Sequence, residues 1–150
     1  MLTYLTIVIN VTIITSMRKR IFWLSHCIVS LAFGAVLYLV FRESTYLHTI
    51  LRCSVTEWAN VTFIGSDIVR YFLPDFLWAY SLCCGLYGIA LPTEKKLWLP
   101  PLCVVGLGII WECFQWFGVV KGTGDVLDVL SYGLATAVVV YINIRKEGKL

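Results

Sequence analysis

IFWLSHCIVSLAFGAVLYLVF, residues 21–41, carries no charged side chain from end to end. It matches the ~20 predominantly apolar residues that a helix needs to cross a bilayer. Three more stretches, about residues 73–91, 97–116 and 125–144, have comparable length. Their only charged residues are Asp75, Glu112, Asp125 and Asp128. The expected fold is therefore all-α: a polytopic membrane helical bundle of four transmembrane helices.

Composition agrees. Of 150 residues, 59% are hydrophobic and 14% charged, and the mean hydropathy is +0.83. A soluble domain is closer to half apolar and a quarter charged. The net charge of +3 is small, and the basic residues fall in short clusters at segment ends. That distribution suits membrane orientation and speaks against nucleic acid as a partner. No C-x-x-C pair occurs among the six cysteines, so neither a zinc site nor a disulfide framework is indicated. Cys27, Cys83, Cys84, Cys103 and Cys113 are expected to be small buried apolar side chains.

The N-terminus is a separate question. Residues 1–20 form a doubtful short hydrophobic segment, apolar over Leu2–Ser16, followed by Arg18-Lys19-Arg20. It is shorter than a crossing, and its charges follow the apolar run, the reverse of a secretory signal. Either it is a marginal or interfacial helix, or translation starts at Met17. Residues 21–150 are expected to form one membrane helical domain.

Arg42–Arg70 is expected as a long loop with structure of its own, because connections beyond ~12–15 residues are uncommon in compact proteins. A surface amphipathic helix around Tyr46–Trp58 fits its pattern. Asn60-Val61-Thr62 is formally a glycosylation triplet, and Cys53 is the one cysteine of the loop. Leu73-Pro74-Asp75 is a helix-start signal. His26 is expected to serve helix packing. Gly106 and Gly108 are expected to permit close helix contact, and Gly122 and Gly124 to serve a turn.

Arg18-Lys19-Arg20 precedes span one, Lys95-Lys96 joins spans two and three, and Arg145-Lys146 follows span four. Four crossings bring all three clusters to one side. The positive-inside rule makes that side cytoplasmic, with the C-terminus in the cytoplasm.

The opposite side then collects Asp67, Arg70, Asp75, Glu112, Gln115, Asp125 and Asp128. Glu112 and Gln115 are three apart and share a helix face. Asp125 and Asp128 repeat that spacing. Asp75 and Asp125 can simply start helices, since an acid there caps free N–H groups. Trp78, Trp111, Trp116 and Tyr132 fit an interfacial aromatic belt. Glu112 fits such structural roles least. It lies about a turn inside the membrane boundary, where an ionisable group is costly, and near a helix C-terminus, where the dipole disfavours it. It should face the bundle and pair with Arg70, Gln115 or a protonated carboxylate. The candidate ligand-binding residues are Glu112, Gln115, Asp75, Asp125, Asp128 and Arg70. Close carboxylates can share a proton, hold a hard cation, or, with Arg70, form a pocket for a headgroup. No His or Cys joins them, which argues against zinc, and no metal is assigned. Ser66 and Ser131 are nearby but lack a partner base in sequence.

The pattern Glu112-x-x-Gln115, a Gly/Thr turn, Asp125-x-x-Asp128 and then Gly133 resembles the VanZ-like family of small bacterial membrane proteins, named for a member linked to teicoplanin resistance. The likeness covers about Leu73–Ile144, and Leu73-Pro74-Asp75 resembles a related set of bacterial membrane proteins. Where that family often carries Asp-Lys with a nearby His, this chain has Asp75-Phe76. The resemblance implies an integral protein of the bacterial cytoplasmic membrane with an envelope role touching glycopeptide susceptibility. Three functions are compatible with the residues. One is binding of a membrane lipid or lipid-linked cell-wall precursor headgroup in an outer-face polar pocket. Another is a membrane-embedded carboxylate- or metal-dependent enzyme on a lipid-linked substrate. The third is a small interaction or immunity subunit whose acids are structural.

Overall fold

The computed structural model describes residues 2–41, 68–91, 96–120 and 123–146, with side chains from Val11 onward. Four α-helices follow in order: α1 (Leu2–Phe41), α2 (Leu73–Ala90), α3 (Leu99–Trp116) and α4 (Val126–Lys146). A π-helical turn, Ile68–Phe72, leads directly into α2. Val11–Phe41, Ile68–Ala90, Leu99–Trp116 and Val126–Lys146 are each long and apolar enough to cross a membrane. The chain is an all-α integral membrane bundle.

Two boundaries differ from the sequence reading. The first concerns α1, which does not stop at the basic triplet but runs unbroken for 40 residues. No Gly or Pro occurs between Leu2 and Phe33, and Arg and Lys are good helix formers, so nothing interrupts the ladder. Its hydroxyls bond back to the helix, as in Thr15 Oγ1 to the Val11 carbonyl (2.7 Å) and Ser30 Oγ to the His26 carbonyl (2.7 Å). At ~1.5 Å per residue the helix is about twice as long as the hydrocarbon core is thick. The second concerns Arg70, which the sequence assigns to the loop and the structure places on the π turn. Pro74 has no N–H to give the carbonyl four residues back, and its ring crowds that carbonyl. A widened turn just before it accommodates both.

α2 is the central helix, touching α1, α3 and α4. Its interface with α1 is antiparallel and made close by small residues. A Cβ on Gly34 would lie 3.3 Å from Leu77 Cβ, one on Gly85 3.3 Å from Cys27 Sγ, and one on Gly88 3.0 Å from Leu24. Polar bonds lock the register: His26 Nδ1 and the Tyr80 hydroxyl at 2.7 Å, and Ser81 Oγ donating to the Cys27 carbonyl at 2.9 Å. His26 is thus a packing residue, as expected. The core is Trp23, Ala79, Cys83, Cys84, Tyr87, Val104, Ala135 and Val139. Cys83 and Cys84 are buried, but Cys27 and Cys113 only half so, and Cys103 is exposed. Cys103 points away from the core on α3, which corrects the expectation that all five are buried.

The helix ends carry their own stop signals. Leu91, at φ 42°, closes α2 with its N–H on the Tyr87 carbonyl. Pro100 and Pro101 occupy the first turn of α3, where an N–H would be unpaired anyway. Gly118, at φ 67°, turns the chain out of α3.

These elements give the bundle two unlike ends. At one, Arg20 Nη1 donates to the Ile89 carbonyl (3.1 Å), the Tyr87 hydroxyl to the Leu97 carbonyl (2.6 Å), and Lys146 Nζ sits 2.9 Å above the Phe22 ring. The α1 triplet, Lys96 and Arg145-Lys146 therefore meet there. The other end holds Arg70, Asp75, Glu112, Gln115, Asp125 and Asp128. Tyr46–Trp58, Cys53, Asn60, Ser66, Asp67, Lys95 and Gly122 lie outside the described residues.

Candidate functional site

The site is built where α3 ends and α4 begins. Glu112 stands one turn before the end of α3 and is 4% exposed. Both its oxygens are engaged. Oε1 accepts the Tyr132 hydroxyl at 2.9 Å, and Oε2 accepts the Asp125 backbone N–H at 3.0 Å. The expected partners were Arg70, Gln115 or a protonated carboxylate; the observed ones are a phenol and a helix start. This removes the dipole objection. A carboxylate at the C-terminal end of its own helix lies at the N-terminus of the next, where negative charge is favoured.

Asp125 is the N-cap of α4. Its Oδ1 accepts the Leu127 N–H at 2.9 Å, and its carbonyl accepts the Asp128 N–H at 3.3 Å. The helix-start role expected of Asp125 is its observed role. Gln115, its amide oriented to satisfy both neighbours, accepts the Trp111 indole N–H (2.9 Å) and donates to the Thr123 carbonyl (3.1 Å). Trp116 Nε1 donates to the Gly124 carbonyl at 2.7 Å. Glu112, Gln115 and Trp116 thus grip three successive residues, 123–125, and clamp α3 to the start of α4.

Two glycines make this possible. A Cβ on Gly124 would strike the Trp116 ring and lie 2.8 Å from the Glu112 carbonyl. A Cβ on Gly108 would strike the Tyr132 ring. Gly124 therefore does more than turn the chain, and Gly108 seats Tyr132. Gly106 meets nothing within 4 Å.

Tyr132 is the residue that sequence reasoning assigned only to an aromatic belt. Its hydroxyl donates to Glu112 Oε1 across the α3–α4 interface. The available signal was depth. α3 and α4 run antiparallel, so Tyr132, less than two turns inside α4, lies within reach of Glu112, about one turn inside α3. Asp75, Asp128 and Arg70 are half-buried at this same end. Ser131 is fully buried and donates to the Asp128 carbonyl at 2.7 Å, so it is a helix-satisfied hydroxyl. Among the described residues, no three or more His, Cys, Asp or Glu side chains form a group able to hold a metal ion.

An apolar groove of about 470 Å³ opens beside the clamp, between α1, α2 and α3. Cys27, Leu31, Leu82, Gly85 and Leu107 line it, and Trp78, Trp111 and Tyr132 stand at its acidic end. Its volume falls within the ~300–1,000 Å³ of ordinary ligand sites. Trp111 and Tyr132 face it with their rings while their polar atoms bond Gln115 and Glu112. The fold and the site define a class: a polytopic helical membrane protein with a hydrogen-bonded clamp at the mouth of an apolar groove. No family model, curated protein or solved structure matches the chain.

Proposed function

We propose that the protein binds an amphiphile, its chain in the α1–α2–α3 groove and its headgroup at the acidic end. In this reading it is a VanZ-like protein of the bacterial cytoplasmic membrane, its acidic end outward and its C-terminus in the cytoplasm. The amphiphile is a membrane lipid or a lipid-linked cell-wall precursor, and its capture alters susceptibility to glycopeptide antibiotics. One observation carries the proposal: Trp111 and Tyr132 belong at once to the apolar groove and to the polar clamp. Such residues suit a site that is greasy along its length and polar at its mouth. The clamp fixes their orientation, so Glu112 and Gln115 act as positioning residues.

The test is lipid retention by the detergent-purified protein, read by native mass spectrometry. Leu107→Trp fills the groove, whereas Leu102→Trp lies on the exposed outer face of α3. Loss of bound amphiphile from L107W but not from L102W is expected. Equal retention by both would overturn the proposal.

A second reading has its own observation. Both oxygens of Glu112 are occupied by structural bonds, which suits an interaction or immunity subunit with purely structural acids. A fixed protein partner that copurifies equally with wild type and with Asp128→Asn, together with unaltered drug susceptibility in that variant, would favour it.

A further inference from the structure

A second groove, of about 380 Å³, opens between α1 and α2 and shares no lining residue with the one beside the clamp. Val29 and Phe33 form its apolar wall, and Ser25, His26, Ser30 and Tyr80 bring polar groups to it. None of its lining residues is charged. Val29 and Phe33 are exposed, so the groove opens toward lipid.

Most of these polar groups are already used. Ser25 Oγ donates to the Phe22 carbonyl (2.8 Å) and Ser30 Oγ to the His26 carbonyl (2.7 Å). The Tyr80 hydroxyl and His26 Nδ1 share a bond of 2.7 Å. Of those two groups the phenol O–H is the stronger donor and the imidazole nitrogen the stronger acceptor. Tyr80 therefore donates, and the ring's own proton sits on Nε2. The ring is held in place by Phe22, whose centroid is 4.5 Å away. Nε2 has no hydrogen-bond partner among the described residues, and it is not buried. Helix packing uses only Nδ1. A donor left open to hydrocarbon is costly unless something accepts from it.

Three conditions define the acceptor. It is neutral, because no lining residue carries a charge to answer one. It reaches into the hydrocarbon, because His26 stands six residues beyond Arg20, about 9 Å along α1. It suits the aromatic faces of Phe33 and Tyr80, which favour a flat ring. A conjugated ring carbonyl on a long apolar chain meets all three. A phospholipid headgroup, charged and held at the membrane surface, does not.

We infer that this groove binds a lipid of the quinone class, a ring carbonyl accepting from His26 Nε2–H and the ring lying against Phe33 and Tyr80. The site is independent of the acidic-end groove and of the function proposed for it.

The experiment uses the full chain in a non-ionic detergent, with the thermal unfolding midpoint followed as decylubiquinone is titrated. The wild type should show a saturable rise. Val29→Trp fills the groove, whereas Ile28→Trp alters a similarly exposed neighbour that does not line it. The rise should vanish in V29W and persist in I28W. His26→Phe keeps an aromatic ring but no donor, and should weaken the apparent affinity about tenfold, the loss of one hydrogen bond. No rise in the wild type, or unchanged affinity in V29W, would overturn the assignment. So would an equal response to decylbenzene, which has the tail and a ring but no carbonyl, or to dioctanoylglycerol, whose carbonyls are esters. Loss in Leu107→Trp but not in V29W would move the ligand to the acidic-end groove and overturn it as well.

Discussion

The acidic and basic ends of the bundle handle charge in opposite ways. At the acidic end Glu112 is buried and Asp75 and Asp128 are half-buried, and backbone N–H groups and a phenol answer the Glu112 and Asp125 carboxylates. At the basic end every described cation is exposed, and Arg20, Arg145 and Lys146 rest on a carbonyl, a hydroxyl and a ring. The difference follows from side-chain reach. Lys and Arg have long stems that lie along apolar surface while the charge stays in water. Asp and Glu are short, so an acid within the hydrocarbon must find its donors locally. The acids therefore become architecture, and the cations face what lies outside the chain.

Breaking the acidic end should cost most. Glu112→Leu leaves the Tyr132 hydroxyl and the Asp125 N–H without their acceptor. It should destabilise the protein by about 2–4 kcal/mol, since each orphaned buried donor costs roughly 1–3 kcal/mol. Unfolding in mixed micelles checks this. Tyr132→Phe should cost less when added to Glu112→Leu than when made alone, because the two residues act through one bond.

Gly108→Val comes next. It drives a side chain into the Tyr132 ring and should cost ~1–3 kcal/mol by overpacking. The same change at Gly106, where nothing lies within 4 Å, should be close to neutral in the same assay.

Asp125→Ala removes the α4 cap and should cost ~1 kcal/mol, whereas Asp125→Asn should cost less. Hydrogen exchange at the Leu127 amide reports it directly. The smallest effect belongs to the basic end. Lys19→Gln alone should shift stability within about ±0.5 kcal/mol, as for an ordinary surface change. A large loss there would mean that the cations, too, are structural.

Much of this was legible in the residues. Apolar runs of spanning length reveal four candidate crossings, and an even count sends the three basic clusters to one end. Asp125 was readable as a helix start because capping is local. What escaped was any contact made across helices. Glu112 plainly needed a partner, but nothing in its neighbourhood of sequence pointed to Tyr132 twenty positions on or to a backbone N–H. The roles of Gly108 and Gly124 depend on which ring arrives opposite, and that is set by packing. Gln115 looked like a ligand-binding residue, yet its amide is used by Trp111 and Thr123. The unbroken course of α1 was hidden for another reason. Arg18-Lys19-Arg20 reads as a boundary in hydropathy, but charge does not interrupt a helix.

The claim beneath the proposed function is that the two ends face opposite sides of the membrane, the acidic one outward. Replacing the six native cysteines and introducing one at a time tests it on intact cells with a membrane-impermeant maleimide. Val119→Cys, beside the clamp and 69% exposed, should label from outside. Lys96→Cys, at the basic end, should label only after lysis. The reverse pattern would turn the bundle over and carry the acidic site into the cytoplasm, contradicting the envelope reading. Labelling of both from outside would contradict the opposition of the two ends itself.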